Sequence, residues 1–124
     1  LRATPPAWVI PAGGNEAVAR QLREAGVEVI AEAVSLADAA AAVGWGIDGL
    51  VLKGHEAGGR VGAHTSFVLV QAWVQHAAKR GVNLPFWVQG GIGPHTAAAC
   101  LAAGARGVVL DSQLLLTRES PLSE

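Results

Sequence analysis

Four short apolar runs in this chain each stop on one polar side chain, and helical stretches separate them. Val29-Ile30-Ala31 meets Glu32, and Leu50-Val51-Leu52 meets Lys53. Phe86-Trp87-Val88 meets Gln89, and Val108-Val109-Leu110 meets Asp111. Strands joined by helical connections pair in parallel, with right-handed crossovers. One such polar residue only marks where a strand leaves the core. Four at the same place put polar groups together at the C-terminal ends of parallel strands, where α/β folds bind ligands.

The punctuation between the runs is consistent with this order. A first strand at Ala7–Ile10 ends at Pro11 and Gly13-Gly14. Asn15 can cap a helix over Glu16–Ala25 that stops at Gly26, with Val18 and Leu22 on its buried face. Val27–Ala31 follows as a strand, and Ser35 opens an Ala-rich helix to Val43. After the third strand comes a glycine loop, Gly54–Ala63, and then the longest helix, Ser66–Arg80, with Phe67, Val70 and Val74 on one face. Pro94 suits the first position of a helix closed by Gly104, before the last strand. The order predicts an α/β fold, a parallel βα repeat. An arc of a TIM (β/α)8 barrel and a flavodoxin-like open sheet both satisfy it.

Composition narrows the function classes. Nine Lys+Arg stand against ten Asp+Glu, without the basic excess of a nucleic-acid binder. One Cys forms no internal disulfide, and no Cys/His spacing suits a metal, so a cytoplasmic, metal-free protein is expected. Apolar runs are too short to span a membrane, and no signal peptide is visible. Charged residues make up 15% of the chain, against ~25% in ordinary soluble domains. The chain therefore buries much of itself or is buried by a partner. Cys100 and the tryptophans Trp8, Trp45, Trp73 and Trp87 read as core, and His76 as a surface residue. His95 opens a helix.

Two segments carry chemistry. Gly54-His55-Glu56-Ala57-Gly58-Gly59-Arg60-Val61-Gly62 follows a strand directly and allows close backbone approach to a ligand. It has neither a Walker A ending nor a dinucleotide fingerprint. Gln89-Gly90-Gly91-Ile92-Gly93-Pro94 joins a strand to a helix N-terminus, an arrangement that can cradle phosphate. Asp111-Ser112-Gln113 follows the last strand; in barrels, the loops after the last two strands often share one phosphate. A phosphate-ligand βα enzyme is one reading of these segments.

In order, these motifs resemble the nitronate monooxygenase (2-nitropropane dioxygenase-like) flavoproteins. Gly54–Gly62 is similar to that family's Gly-x-Glu-Ala-Gly-Gly-His-x-Gly loop, and Gln89–Ile92 to its Ala-Gly-Gly-Ile. The stretch AACLAAGARGVVLDSQLL, from Ala98 to Leu115, is similar to the family's final helix, strand and phosphate loop. VVLDSQLLLTRES resembles most the flavin barrel domains of polyketide and polyunsaturated fatty acid synthases. The resemblance covers roughly residues 8 to 120 and implies a βα-barrel holding FMN at its C-terminal face.

By position, the resemblance implies that Lys53 contacts the flavin and that Gly58 and Gly59 line its edge. Gly90, Gly91, Asp111 and Ser112 would surround the phosphate, and Gln89 would also contact the cofactor. Two positions depart from the family: Arg60 replaces its catalytic His, and Asp111-Ser112 replaces Gly-Thr. Arg is no general base at neutral pH. The resemblance then implies an enoyl-thioester reductase drawing on NAD(P)H, its substrate a small molecule or carrier-bound acyl group. Arg60 would stabilise an enolate oxygen and His55 or His64 would donate the proton. Nitronate oxidation by O₂ and a catalytically silent synthase domain are the alternatives. Five strands fall short of the eight a barrel needs. With Leu1 in place of an initiator Met, residues 7–117 are expected to be a C-terminal half-barrel between a remnant, 1–6, and a tail, 118–124. Missing N-terminal strands or self-association would complete it.

Overall fold

The computed structural model describes residues 7–120, so the expected remnant 1–6 and the end of the tail, 121–124, lie outside the described residues. Five strands alternate with four helices: β1 (Trp8–Ile10), α1 (Glu16–Glu24), β2 (Val29–Ala33), α2 (Leu36–Gly44), β3 (Gly49–Lys53), α3 (Ser66–Arg80), β4 (Phe86–Gln89), α4 (Pro94–Ala102) and β5 (Gly107–Val109). A 3-10 turn over Ser112–Leu116 follows. All pairings are parallel, in the order β1-β2-β3-β4-β5. A sheet that winds in one direction has no switch point, so the flavodoxin-like order is not adopted. This is the strand order of an arc of a barrel wall, with β1 and β5 as its edges among the described residues.

Caps set the helix starts. Asn15 Oδ1 accepts from Val18 N–H at 3.2 Å, Ser35 Oγ from Asp38 N–H at 3.1 Å, and Thr65 Oγ1 from Val68 N–H at 3.3 Å. Such caps are worth ~1 kcal/mol each. Strand β2 starts two residues later than the apolar pattern predicts. Val27 N–H is used to close α1 on Leu22 O, and Asp48 Oδ2 accepts from Val29 N–H at 2.8 Å. Glu32 therefore lies inside the strand.

Strand parity divides the sheet into two faces. Ile10, Val29, Ala31, Ala33, Leu50, Leu52, Phe86 and Val88 face the helices and join Ala39, Leu69, Val70, Trp73 and Cys100 in one core. The other face, the concave one in a barrel, carries Val9, Ile30, Glu32, Val51, Lys53, Trp87 and Gln89. Three predicted packing faces are corrected. On α1 the buried residue is Ala19, while Val18 is exposed. On α3 the buried stripe is Ser66, Leu69, Val70 and Trp73, while Phe67 is exposed. Trp8 is 55% exposed because β1 is an edge strand; of the four tryptophans, only Trp73 is fully buried. Cys100 is buried, as expected, and burial pushes its thiol pKa up.

Candidate active site

Strand ends place the polar residues. Lys53 and Gln89 are the last residues of β3 and β4 and are paired in register on the concave face. Lys53 is 7% exposed, and its Nζ lies 3.4 Å from Glu32 Oε2 on the neighbouring strand. The same Glu32 oxygen accepts from Ala12 N–H at 3.2 Å, which ties the β1–α1 turn to the pair. Buried charge is tolerated only when paired in this way.

The glycine loop folds back over these strand ends. His55 N–H donates to His64 O at 2.9 Å and closes the base of the loop, leaving both side chains exposed. Glu56 turns towards α3: its carboxylate accepts from Ser66 N–H at 3.0 and 3.3 Å and from Ser66 Oγ at 3.4 Å. A carboxylate at a helix N-terminus is favoured by the helix dipole. Gly54 has to be glycine, since a Cβ there would collide with Ser66 N and lie 2.6 Å from Ser66 Cα. A Cβ on Gly59 would come 3.7 Å from Lys53 Nζ, so the loop backbone passes close to the buried amine. Arg60 reaches further, and its guanidinium packs against Gly13 in the β1–α1 turn.

The second glycine turn meets the first. Gly90 and Gly91 have φ of 104° and 63°, and a Cβ on Gly90 would lie 3.0 Å from Ala57 N. A Cβ on Gly91 would lie 3.4 Å from Glu56 Oε1. The turn leads into α4, whose N-cap is Gly93 and whose first position is Pro94. Unlike α1, α2 and α3, this helix has no side-chain cap, so no side chain accepts from its first N–H groups at the N-cap. Asp111 behaves differently. Its Oδ1 accepts from Ser112 N–H at 2.7 Å, and its Oδ2 from Gln89 Nε2 at 3.4 Å. The uncapped helix and Gly90-Gly91 fit a phosphate. The Ser112 N–H does not, because Asp111 already holds it.

The structure thus brings Lys53 to Gly59, Gln89 to Asp111, and Gly90 and Gly91 to the Ala57 side of the loop. Arg60 lies against Gly13, and no hydrogen bond joins it to His55 or His64 among the described residues. Glu32 and Glu56, both visible beside the motifs, have structural roles that no local spacing shows. A separate cleft of about 690 Å³ opens at the other end of the sheet, among Trp73, Leu84, Phe86 and Arg106. Ligand chemistry in parallel α/β folds belongs to the C-terminal end instead. No potential metal-binding cluster and no helix long and apolar enough to cross a membrane occurs among the described residues.

Residues 4–124 match the model of the nitronate monooxygenase family. The chain belongs to that family. A (3aS,4S,5R,7aS)-5-hydroxy-7a-methyl-1-oxo-octahydro-1H-indene-4-carboxyl-CoA dehydrogenase from Rhodococcus jostii (strain RHA1) is 32% identical over 84% of this chain. The chain spans 28% of that relative's length. FabK from Thermotoga maritima is similar in structure, with TM-score 0.80 and 32% identity, over 96% of this chain and 37% of that one. A nitroalkane oxidase from Streptomyces ansochromogenes has TM-score 0.70 and 27% identity over 96% of this chain and 36% of that one. The five strands thus correspond to the C-terminal part of a family barrel.

Proposed function

We propose that this chain is the flavin-holding part of an FMN-dependent oxidoreductase that reduces enoyl thioesters with NAD(P)H. The observation that carries this reading is the meeting of two glycine turns beside an uncapped α4, over the in-register pair Lys53 and Gln89. Gly90, Gly91 and the N-terminus of α4 would hold the phosphate. Lys53, Gly58 and Gly59 would lie along the ring system, with Gln89 at its side. When bound, FMN supplies reversible two-electron hydride chemistry. Arg60 stays cationic and would stabilise negative charge on a thioester oxygen, held at the rim by its packing on Gly13. His55 and His64, exposed at the base of the loop, are the candidate proton donors.

A relative named for a carboxyl-CoA substrate supports the thioester class. The nitroalkane oxidase likeness favours the second reading, nitronate oxidation by O₂ with a base other than Arg60. The barrel would be closed by further strands on β1 and β5, or by self-association, within a cytoplasmic polyketide or fatty acid synthase. The test is the visible spectrum of the purified full-length protein, followed by turnover of enoyl thioester and of nitronate. Flavin absorbance with enoyl-thioester turnover is expected. A colourless protein that FMN does not reconstitute overturns the reading and leaves a silent structural domain or a phosphate-ligand enzyme.

A further inference from the structure

Trp87 lies on β4 two residues before Gln89, so both side chains leave the concave face. Its register partners are Val51 on β3 and Gly107 on β5. A Cβ on Gly107 would lie 3.1 Å from Trp87 Cδ1 and 3.3 Å from its Nε1. A Cβ on Gly49 would lie 2.7 Å from Trp87 Cζ3. The indole therefore lies across the concave face, with its five-membered ring over β5 and its six-membered ring over β3. Neither Gly49 nor Gly107 has a positive φ, so the backbone at both would accept any residue. The indole is what a side chain at either position would meet: at Gly49 it would have to move, and at Gly107 to give by a few tenths of an ångström.

Barrel interiors are usually filled by layers of branched side chains from alternate strands. Here one flat plate covers three strands, with bare backbone on either side. Its backbone lies one layer below Gln89, about 6.6 Å along the strand at ~3.3 Å per residue; on β3 the six-membered ring lies over Gly49, with Val51 between it and Lys53. We propose that Trp87 is the floor of the site. Its indole seals the interior beneath Lys53 and Gln89 and sets the depth at which a planar ring system is held. A flat aromatic floor gives a planar ligand a large contact area and excludes water from below. The assignment rests on the flavin reading of this face, with Trp87 as a ligand-contacting residue of the site.

The experiment titrates FMN into the full-length wild type and its W87A, W87F and G107A variants. It reads Kd, the visible circular dichroism of the bound flavin and the melting temperature. Trp87→Ala is expected to raise Kd roughly tenfold or more, and Trp87→Phe by less than about threefold. Gly107→Ala, which only tilts the indole, is expected to change the visible dichroism. If Kd and dichroism stay at wild-type values in the variants that fold, with only melting temperature altered, Trp87 is a barrel filler and the proposal fails. Should W87A not fold, W87F and G107A decide by the same readouts. A wild type that binds no FMN overturns the flavin reading and this one together, before any substitution is compared.

Discussion

Lys53 and Glu32 respond differently to losing one another. At 3.4 Å their gross attraction is ~5 kcal/mol for an effective dielectric of 20, much of it offset by the cost of burial. The two sites are not equivalent. The Lys53 side chain is 9% exposed and the Glu32 side chain 18%. The carboxylate also keeps the Ala12 N–H, whereas among the described residues the ammonium has only Glu32. Glu32→Gln strands a buried cation and is expected to cost ~3 kcal/mol of unfolding free energy. Lys53→Met leaves a carboxylate with one donor and some water, at ~1.5 kcal/mol. The double variant removes both charges and is expected to cost ~2.5 kcal/mol, a coupling of ~2 kcal/mol. Urea unfolding of the four full-length proteins measures the cycle. Single costs that add in the double variant to within ~0.5 kcal/mol refute the pairing. A Lys53→Met cost above that of Glu32→Gln refutes the asymmetry.

Gly54→Ala drives a methyl into the backbone of Ser66, which cannot step aside, and is expected to cost ~3 kcal/mol. Thermal unfolding would read it, and a melting point equal to wild type would contradict the close approach. Cys100 is expected to resist thiol reagents at mildly alkaline pH until the protein unfolds, because burial disfavours its thiolate. The linkage sign follows from the raised pKa. This group's contribution to stability is fully present below the unfolded thiol's pKa and is lost as pH rises through the folded one. A Cys100→Ala variant should lose that alkaline slope, and an unchanged profile would count against it.

Local pattern was enough for the βα order and for the strand-end positions of Lys53 and Gln89. Both follow from apolar runs, turn residues and the period of a strand. Where the pattern failed, a distant partner decided. Ser66 looks like an exposed first-turn residue, yet it is buried, with Gly54 against its backbone and Glu56 accepting from it from ten residues upstream. Phe67 was the natural choice for the inner face of α3, but that orientation of the helix puts it outward. Arg60 sits in a loop that reads as catalytic, and its contact with Gly13 depends on where β1 lies. Trp87 read as core because a strand sequence alone does not say which face the helices cover.

The one-directional strand order also bears on how the chain is assembled. Every strand pairs with its immediate predecessor, so each new βα unit can dock as soon as it has been made. The widest closure joins Leu50 on β3 to Phe86 on β4, across the glycine loop and α3. Loop-closure entropy makes that step the slowest of the four on chain length alone. The glycine loop lies within that longest connection, and within it Glu56 ties the loop to the start of α3.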